Sequence, residues 1–300
     1  MLGCQAKGKP VPDQMVQALA DSSGLIADPP ALRQRFQDDG YLFLKGALDR
    51  DEVLAARAEI LARLTEVGEV VPGSDGVFTG TSRRKEIVGD LGRFWKSVSE
   101  GENLRRVSHG PGLKRVLERL IGAPARPQDY LFLRAGVVGR ATGLHYDYPF
   151  FTRAHDQVYT VWVPIGDVPV ADGPLVVVEG SNRFRDLIDP MIGFDVVKDT
   201  SRKADLGEDP VALAMSRGTR LRTADFEAGD IALFGMFTAH GSFDNHSPEN
   251  RVRLSCDVRW QPADLPVDAR YFGPDPAGTT GAGYAELNGA KPLDQPWHIR

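Results

Sequence analysis

Val158-Tyr-Thr-Val-Trp-Val-Pro-Ile165 and, beyond the turn-rich stretch Gly166-Asp-Val-Pro-Val-Ala-Asp-Gly-Pro174, Leu175-Val-Val-Val178 set the fold class of this chain. Short runs of branched and aromatic residues bounded by Gly, Pro and Asp have the composition of strands. Residues 130–133, 231–237 and 252–260 follow the same rule. Upstream the pattern is helical. Residues 51–67 place Val53, Ala56, Ile60, Leu64 and Val67 at helical spacing behind acidic Asp51 and Glu52, and Gly68 stops the run. Residues 112–121 repeat that pattern with Val116, Leu117, Leu120 and Ile121 ahead of Gly122. Between residues 32 and 44 the chain reads as helix, turn and strand, and a short helix is expected near residues 14–20. Residues 69–90, rich in Gly, Ser and charge, read as a loop.

Helices first and strands later, without regular β–α alternation, argue against a doubly wound parallel sheet. They predict a mainly β protein with flanking helices, its core a double-stranded β-helix of the jelly-roll, cupin-like kind. The expected organisation is a single domain. It has an N-terminal arm (1–30), a mostly helical flank (31–125), a jelly-roll core (126–262) and a C-terminal extension (263–300). A charged insertion, residues 183–226, interrupts the core. Insertions of this length are often functional, which makes it a candidate lid.

The chain has 300 residues, enough for a sizeable core without staples. A net charge of −5 and the absence of a long basic run argue against a nucleic-acid surface. No stretch approaches the length of apolar sequence that a membrane span requires. Cys4 and Cys256 form no disulfide framework, and a reducing cytoplasm suits them. The sequence leaves the oligomeric state open.

Function is carried by His145-Tyr146-Asp147 and by Phe237-Thr-Ala-His240-Gly-Ser-Phe-Asp-Asn-His246-Ser-Pro-Glu-Asn-Arg251. A His-x-Asp pair in a β-rich stretch with a distal histidine is the ligand set of a facial triad for Fe(II), which leaves coordination positions open. His145 and Asp147, two apart, share one face if they lie on a strand. For His240 the alternative is a hydrogen-bonded core histidine behind 231–237. His109, His155, His246 and His298 read as surface or structural. Arg251 can grip the far carboxylate of 2-oxoglutarate with its forked guanidinium. Arg253 shares its face by alternation, so periodicity alone does not choose between them, and Arg253 is otherwise a candidate for substrate contact or a structural ion pair. Ser242 and Thr160 are further hydroxyl donors to that carboxylate. Trp162 and Arg134 are cofactor-side or substrate-side candidates.

Together these residues resemble the phytanoyl-CoA dioxygenase family of Fe(II)/2-oxoglutarate oxygenases from about Phe36 to Trp260. Phe36-Gln-Asp-Asp-Gly40-Tyr41-Leu-Phe-Leu44 is similar to the family's N-terminal signature. His145-Tyr-Asp147 matches its metal pair and Trp162 a tryptophan on the next strand. His240-Gly-Ser242, Asn245 and Arg251 match the distal histidine, an adjacent serine and the co-substrate arginine. Within Gly173–Asn182, Glu179 and Asn182 stand where the family commonly has proline and histidine. The resemblance implies a non-haem dioxygenase that uses Fe(II), 2-oxoglutarate and O2, most often to hydroxylate a C–H bond with release of succinate and CO2. Asp147 speaks against a halogenase, which lacks that carboxylate. Two other readings stay open, a jelly-roll binding protein without turnover and a zinc hydrolase on the same ligands. The substrate is expected to be a small organic molecule. Tyr146, Tyr148, Phe150 and Phe151 beside the metal pair suggest an apolar body, and Arg217, Arg220 and Arg222 on the insertion suggest an anionic group.

Overall fold

The computed structural model describes residues 3–274 other than 90 and 208, together with 276 and 278. Two sheets carry the architecture. The larger runs in the order Tyr41–Leu44, Ile231–Gly235, Tyr159–Pro164, Arg253–Pro262, Ala125–Gly136 and is antiparallel throughout. The smaller runs His240–Ser242, Leu175–Val178, Leu221–Thr223, Val16–Ala18. The chain is thus mainly β with flanking helices, and the expected strands are present within a few residues at each end.

Alternation sorts each strand between two cores. Tyr41, Phe43, Trp162, Ala232 and Phe234 of the large sheet meet Leu175 and Val177 of the small one in a cluster between the sheets. Leu42, Leu44, Val161, Val163, Ile231 and Leu233 turn the other way, into the main core under the helices. Strands buried on both faces read as continuous apolar runs, which is why 175–178 is Leu-Val-Val-Val. The helix Arg50–Glu66 is capped by Asp49, whose side chain accepts from the Glu52 amide at 3.0 Å, and it buries Val53, Ala56, Ile60 and Leu64. Helix Pro29–Asp39 ends at Gly40 in the left-handed region (φ 76°). A Cβ there would lie 2.8 Å from Asn182.

Three expectations are corrected. The arm holds no helix at 14–20. Instead a 3-10 turn, Asp13–Met15, leads into Val16–Ala18, which pairs in parallel with Leu221–Thr223. The backbone ladder at the sheet edge outweighs a weak helical pattern. Residues 69–90 are not all loop, because Arg84–Val88 is helical and Arg84 is buried against Glu69 (Nη2 to Oε2 2.9 Å). Residues 183–226 are not wholly outside the core either, since Leu221–Thr223 belongs to the small sheet. Most of the 263–300 extension lies outside the described residues. Among the described residues no helix is long and apolar enough to cross a membrane.

The insertion is fastened along residues 144–153. The Val196 amide bonds the Pro149 carbonyl (3.2 Å) and the Leu206 amide bonds the Leu144 carbonyl (2.9 Å). Arg153 grips Asp195 through both carboxylate oxygens at 2.7 and 3.0 Å. Burial would raise the Asp195 carboxyl, but Arg153, the Val197 and Lys198 amides and the charge of Arg270 hold it far below the usual range. Asp195→Ala is expected to accelerate deuterium exchange across residues 196–206 by about tenfold through loss of this clamp. Exchange in the helix Arg50–Glu66 should stay unchanged, and mass spectrometry of peptic fragments reads both.

Candidate active site

His145 and His240 are joined by a pair of backbone hydrogen bonds, His145 N–H to His240 O at 3.0 Å and His240 N–H to His145 O at 3.1 Å. The bridge brings their rings to 4.3 Å. Each Nδ1 lies 2.9 Å from a backbone carbonyl, Gly143 for His145 and Thr238 for His240. A ring nitrogen against a carbonyl has to donate, so Nε2 keeps the lone pair in both rings. Those Nε2 atoms lie 3.6 and 3.9 Å from Asp147 Oδ1. Ligand atoms of all three residues fall within 4.8 Å of one another.

Asp147 reaches this position by a route that strand periodicity does not anticipate. Its backbone is helical (φ −76°, ψ −17°) and it precedes the short helix Tyr148–Phe151. Pro149 has no amide to give to a ladder but fits a first helical turn, so the chain bends immediately after the ligand. The carboxylate is fully buried. Burial alone would raise its pKa, but the Arg259 guanidinium foremost, with the neighbouring histidines, holds it well below the usual range. Burial, and then the neighbouring His145, push His240 down to about 4. An ionised carboxylate and two neutral imidazoles with lone pairs converging are the donor set a divalent first-row metal needs, and they fit Fe(II).

Beside the triad is a cleft lined by Arg134, Trp162, Ser242, Arg253 and Asp257. Arg253 is 6% exposed, and its Nε has no hydrogen-bond partner among the described residues. Burial, and then the charge of Arg134, lower its pKa to about 10. Opposite it in register stands Gly136, where a Cβ would come within 3.1 Å of Arg253 Nη2. The expected co-substrate arginine, Arg251, turns elsewhere. It bonds Asp172 Oδ2 at 2.6 Å and Asp75 Oδ2 at 3.1 Å, because two acids outside the cleft compensate its charge. It precedes the first residue of the strand, so alternation does not aim it inward.

The sequence profile of phytanoyl-CoA dioxygenase (PhyH) matches residues 36–253. The chain belongs to the phytanoyl-CoA dioxygenase family. It is a non-haem dioxygenase that uses Fe(II), 2-oxoglutarate and O2. Among curated proteins it is similar to 1-deoxypentalenic acid 11-beta-hydroxylase of Streptomyces arenae, 25% identical over 256 residues, 81% of this chain and 85% of the relative. Ectoine dioxygenase of Bordetella parapertussis is 26% identical over 229 residues, 74% and 72% of the two chains. Its fold is shared with the epimerase SnoN in complex with Fe3+, α-ketoglutarate and nogalamycin RO. That match has a TM-score of 0.53 and 23% identity, and it covers 91% of this chain and 96% of that one. It is shared too with apo EctD from S. alaskensis (TM-score 0.53, 16% identity, 92% and 93% coverage).

The other expected site residues of this dioxygenase divide. Ser242 lines the cleft and its Oγ accepts from the Thr142 amide at 2.8 Å. Arg134 also lines it, its Nε held by Asp257 at 2.6 Å. Trp162 lines the cleft and packs on Phe226 behind it. Thr160 serves the metal ligand instead, donating to Asp147 Oδ2 at 2.6 Å. Phe150 stands edge-on to His145 with centroids 6.1 Å apart. Phe151 is buried over the Arg259 guanidinium. Tyr146 is removed from the mouth altogether, its hydroxyl donating to the Ser181 carbonyl within the core. The insertion cations are engaged: Arg217 with Asp186, Arg222 with Glu179 and Arg220 with the Gln14 carbonyl. Arg259 and Asp257 were missed by sequence reasoning, although 253, 255, 257 and 259 share one strand face.

Asp147→Ala or His240→Ala should abolish stoichiometric Fe(II) binding in anaerobic titration while circular dichroism stays native. Gly241→Ala tests the bridge itself, since a methyl there would sit 2.6 Å from the Thr142 carbonyl oxygen. It should weaken Fe(II) binding by about ten- to a hundredfold by parting the two histidine segments.

Proposed function

We propose that this enzyme hydroxylates an unactivated C–H bond of a small organic substrate on a double-stranded β-helix scaffold. The balanced reaction is R–H + 2-oxoglutarate + O2 giving R–OH + succinate + CO2. The observation that carries this reading is the adjacency of the triad to a buried, incompletely paired Arg253. His145, Asp147 and His240 would hold the iron, which supplies the redox chemistry coupling decarboxylation to C–H oxidation.

Arg253 is the co-substrate anchor in this reading. A buried guanidinium with an unpartnered donor gains most from a carboxylate that can take two of its hydrogens. The Ser242 hydroxyl lines the same cleft and would donate to that carboxylate. Gly136 leaves the arginine room to lie along the sheet. Asp257 is unsuited to act as the base of a zinc hydrolase, because Arg134 holds it as an ion pair.

Aromatic side chains neighbour the metal ligands. Phe150 borders His145, and Tyr148 stacks on Phe237 at 4.5 Å. These neighbours support a substrate with an apolar body. The expectation of an anionic group loses its basis, since the three insertion arginines that suggested it have partners. The relatives named for 1-deoxypentalenic acid and for ectoine support a small-molecule substrate.

Arg253→Lys is expected to raise the 2-oxoglutarate KM by roughly ten- to a hundredfold, the cost of one charge-assisted pairing. Arg251→Lys should change it by less than about twofold, as expected of an arginine whose ion pairs with Asp172 and Asp75 lie outside the cleft. Succinate release under varied 2-oxoglutarate measures both. The opposite pattern would return the anchor to Arg251.

A further inference from the structure

We propose that Thr160 and Arg259 form a two-donor latch that makes Asp147 a one-oxygen metal ligand, with Arg259 as a positioning residue. This rests on the metal site proposed above and concerns which carboxylate oxygen faces the metal. Asp147 Oδ1 lies toward the two Nε2 atoms, at 3.6 and 3.9 Å. Oδ2 points away and accepts from Thr160 Oγ1 at 2.6 Å and from Arg259 Nη2 at 3.0 Å. A carboxylate oxygen has two lone pairs, and two donors saturate them. Oδ2 therefore has nothing left for a metal. A carboxylate bound through both oxygens would take a fourth coordination position. One bound through Oδ1 alone leaves three for the co-substrate and dioxygen.

The sheet delivers both donors together. Thr160 and Arg259 are direct cross-strand partners in the register of Tyr159–Pro164 against Arg253–Pro262. Arg259 is held rigidly as well. It is 2% exposed, with its guanidinium carbon 4.6 Å from the Phe132 ring centroid and 4.1 Å from that of Phe151. Its Nε and Nη1 have no hydrogen-bond partner among the described residues. A cation buried with two idle donors is a poor means of gaining stability, because apolar residues of similar volume usually do as well in such places. Its one strong hydrogen bond fixes the carboxylate, and that is the role the geometry assigns to it.

The test uses Co(II) as the probe on the full chain, read by titration and by the visible d–d absorption of the bound ion. Thr160→Val removes a neutral donor and leaves the charges in place. Arg259→Met removes the fork, and Arg259→Lys restores charge without it. Thr160→Val and Arg259→Met should each weaken Co(II) binding by about ten- to a hundredfold, with Arg259→Lys between Met and wild type. At saturating Co(II) the band of Thr160→Val should change intensity as the second oxygen joins the coordination shell. Wild-type affinity and band shape in Thr160→Val would overturn the latch, even if Arg259→Met fails to fold. So would an Arg259→Met protein that loses melting temperature but not Co(II) affinity. If wild type itself binds no Co(II) or Fe(II), it is the metal-site reading that fails.

Discussion

The active site depends on two backbone hydrogen bonds, those that tie His145 to His240. Side chains can coordinate a metal only if their backbones are already placed, and here the two ligand backbones hold each other directly. The bond pair also explains the glycine that follows. Gly241 lies against the carbonyls of Thr142 and Gly143, so the approach that joins the histidines leaves no space for a side chain beside them. The Asp147 carboxylate is then brought up from the far side of the bridge by a helical turn that Pro149 begins. No single element owns the triad, and that suits a site that must stay open on one side.

The large sheet serves this bridge in a second way. Its central pairing sets the order of charges beneath the metal: Arg253 beside the cleft, Asp257 paired with Arg134, and Arg259 under Asp147. Each charge in this row is buried, and a buried charge without a partner is costly. The row is compensated as far as the protein alone allows, except at Arg253. That remaining imbalance is what a dianionic co-substrate would relieve. Arg251 lies two residues away but ahead of the strand, where Asp172 and Asp75 neutralise it.

Much of this was legible in the sequence, for identifiable reasons. The strands at 158–165 and 175–178 are continuous apolar runs because both of their faces are buried, and composition reveals that directly. His145, Asp147 and His240 could be named because residue type and order restrict metal chemistry more tightly than they restrict folds. Periodicity did not separate Arg251 from Arg253, since alternation puts both on one face and only the start of the ladder distinguishes them; the preference for Arg251 came from the family spacing alone. Tyr146 was named for the mouth from its place between the two ligands, which says nothing of direction, and its hydroxyl turns instead to the Ser181 carbonyl in the core. The edge strand Val16–Ala18 was invisible for another reason: three residues of ordinary composition become a strand only when Leu221–Thr223 is there to pair with them.

The strand Arg253–Pro262 carries Arg253, Ser255, Asp257 and Arg259 on one face, and Leu254, Cys256, Val258 and Trp260 on the other lie in the main core. A slip of one residue against either neighbour would exchange the faces, driving three charged groups into the apolar core and four apolar side chains into the cleft. An all-apolar strand would tolerate such an error far more easily. The residues that serve catalysis therefore also act as a frame marker for folding. Neutralising them one by one should produce not only a less active enzyme but a population of molecules paired out of step.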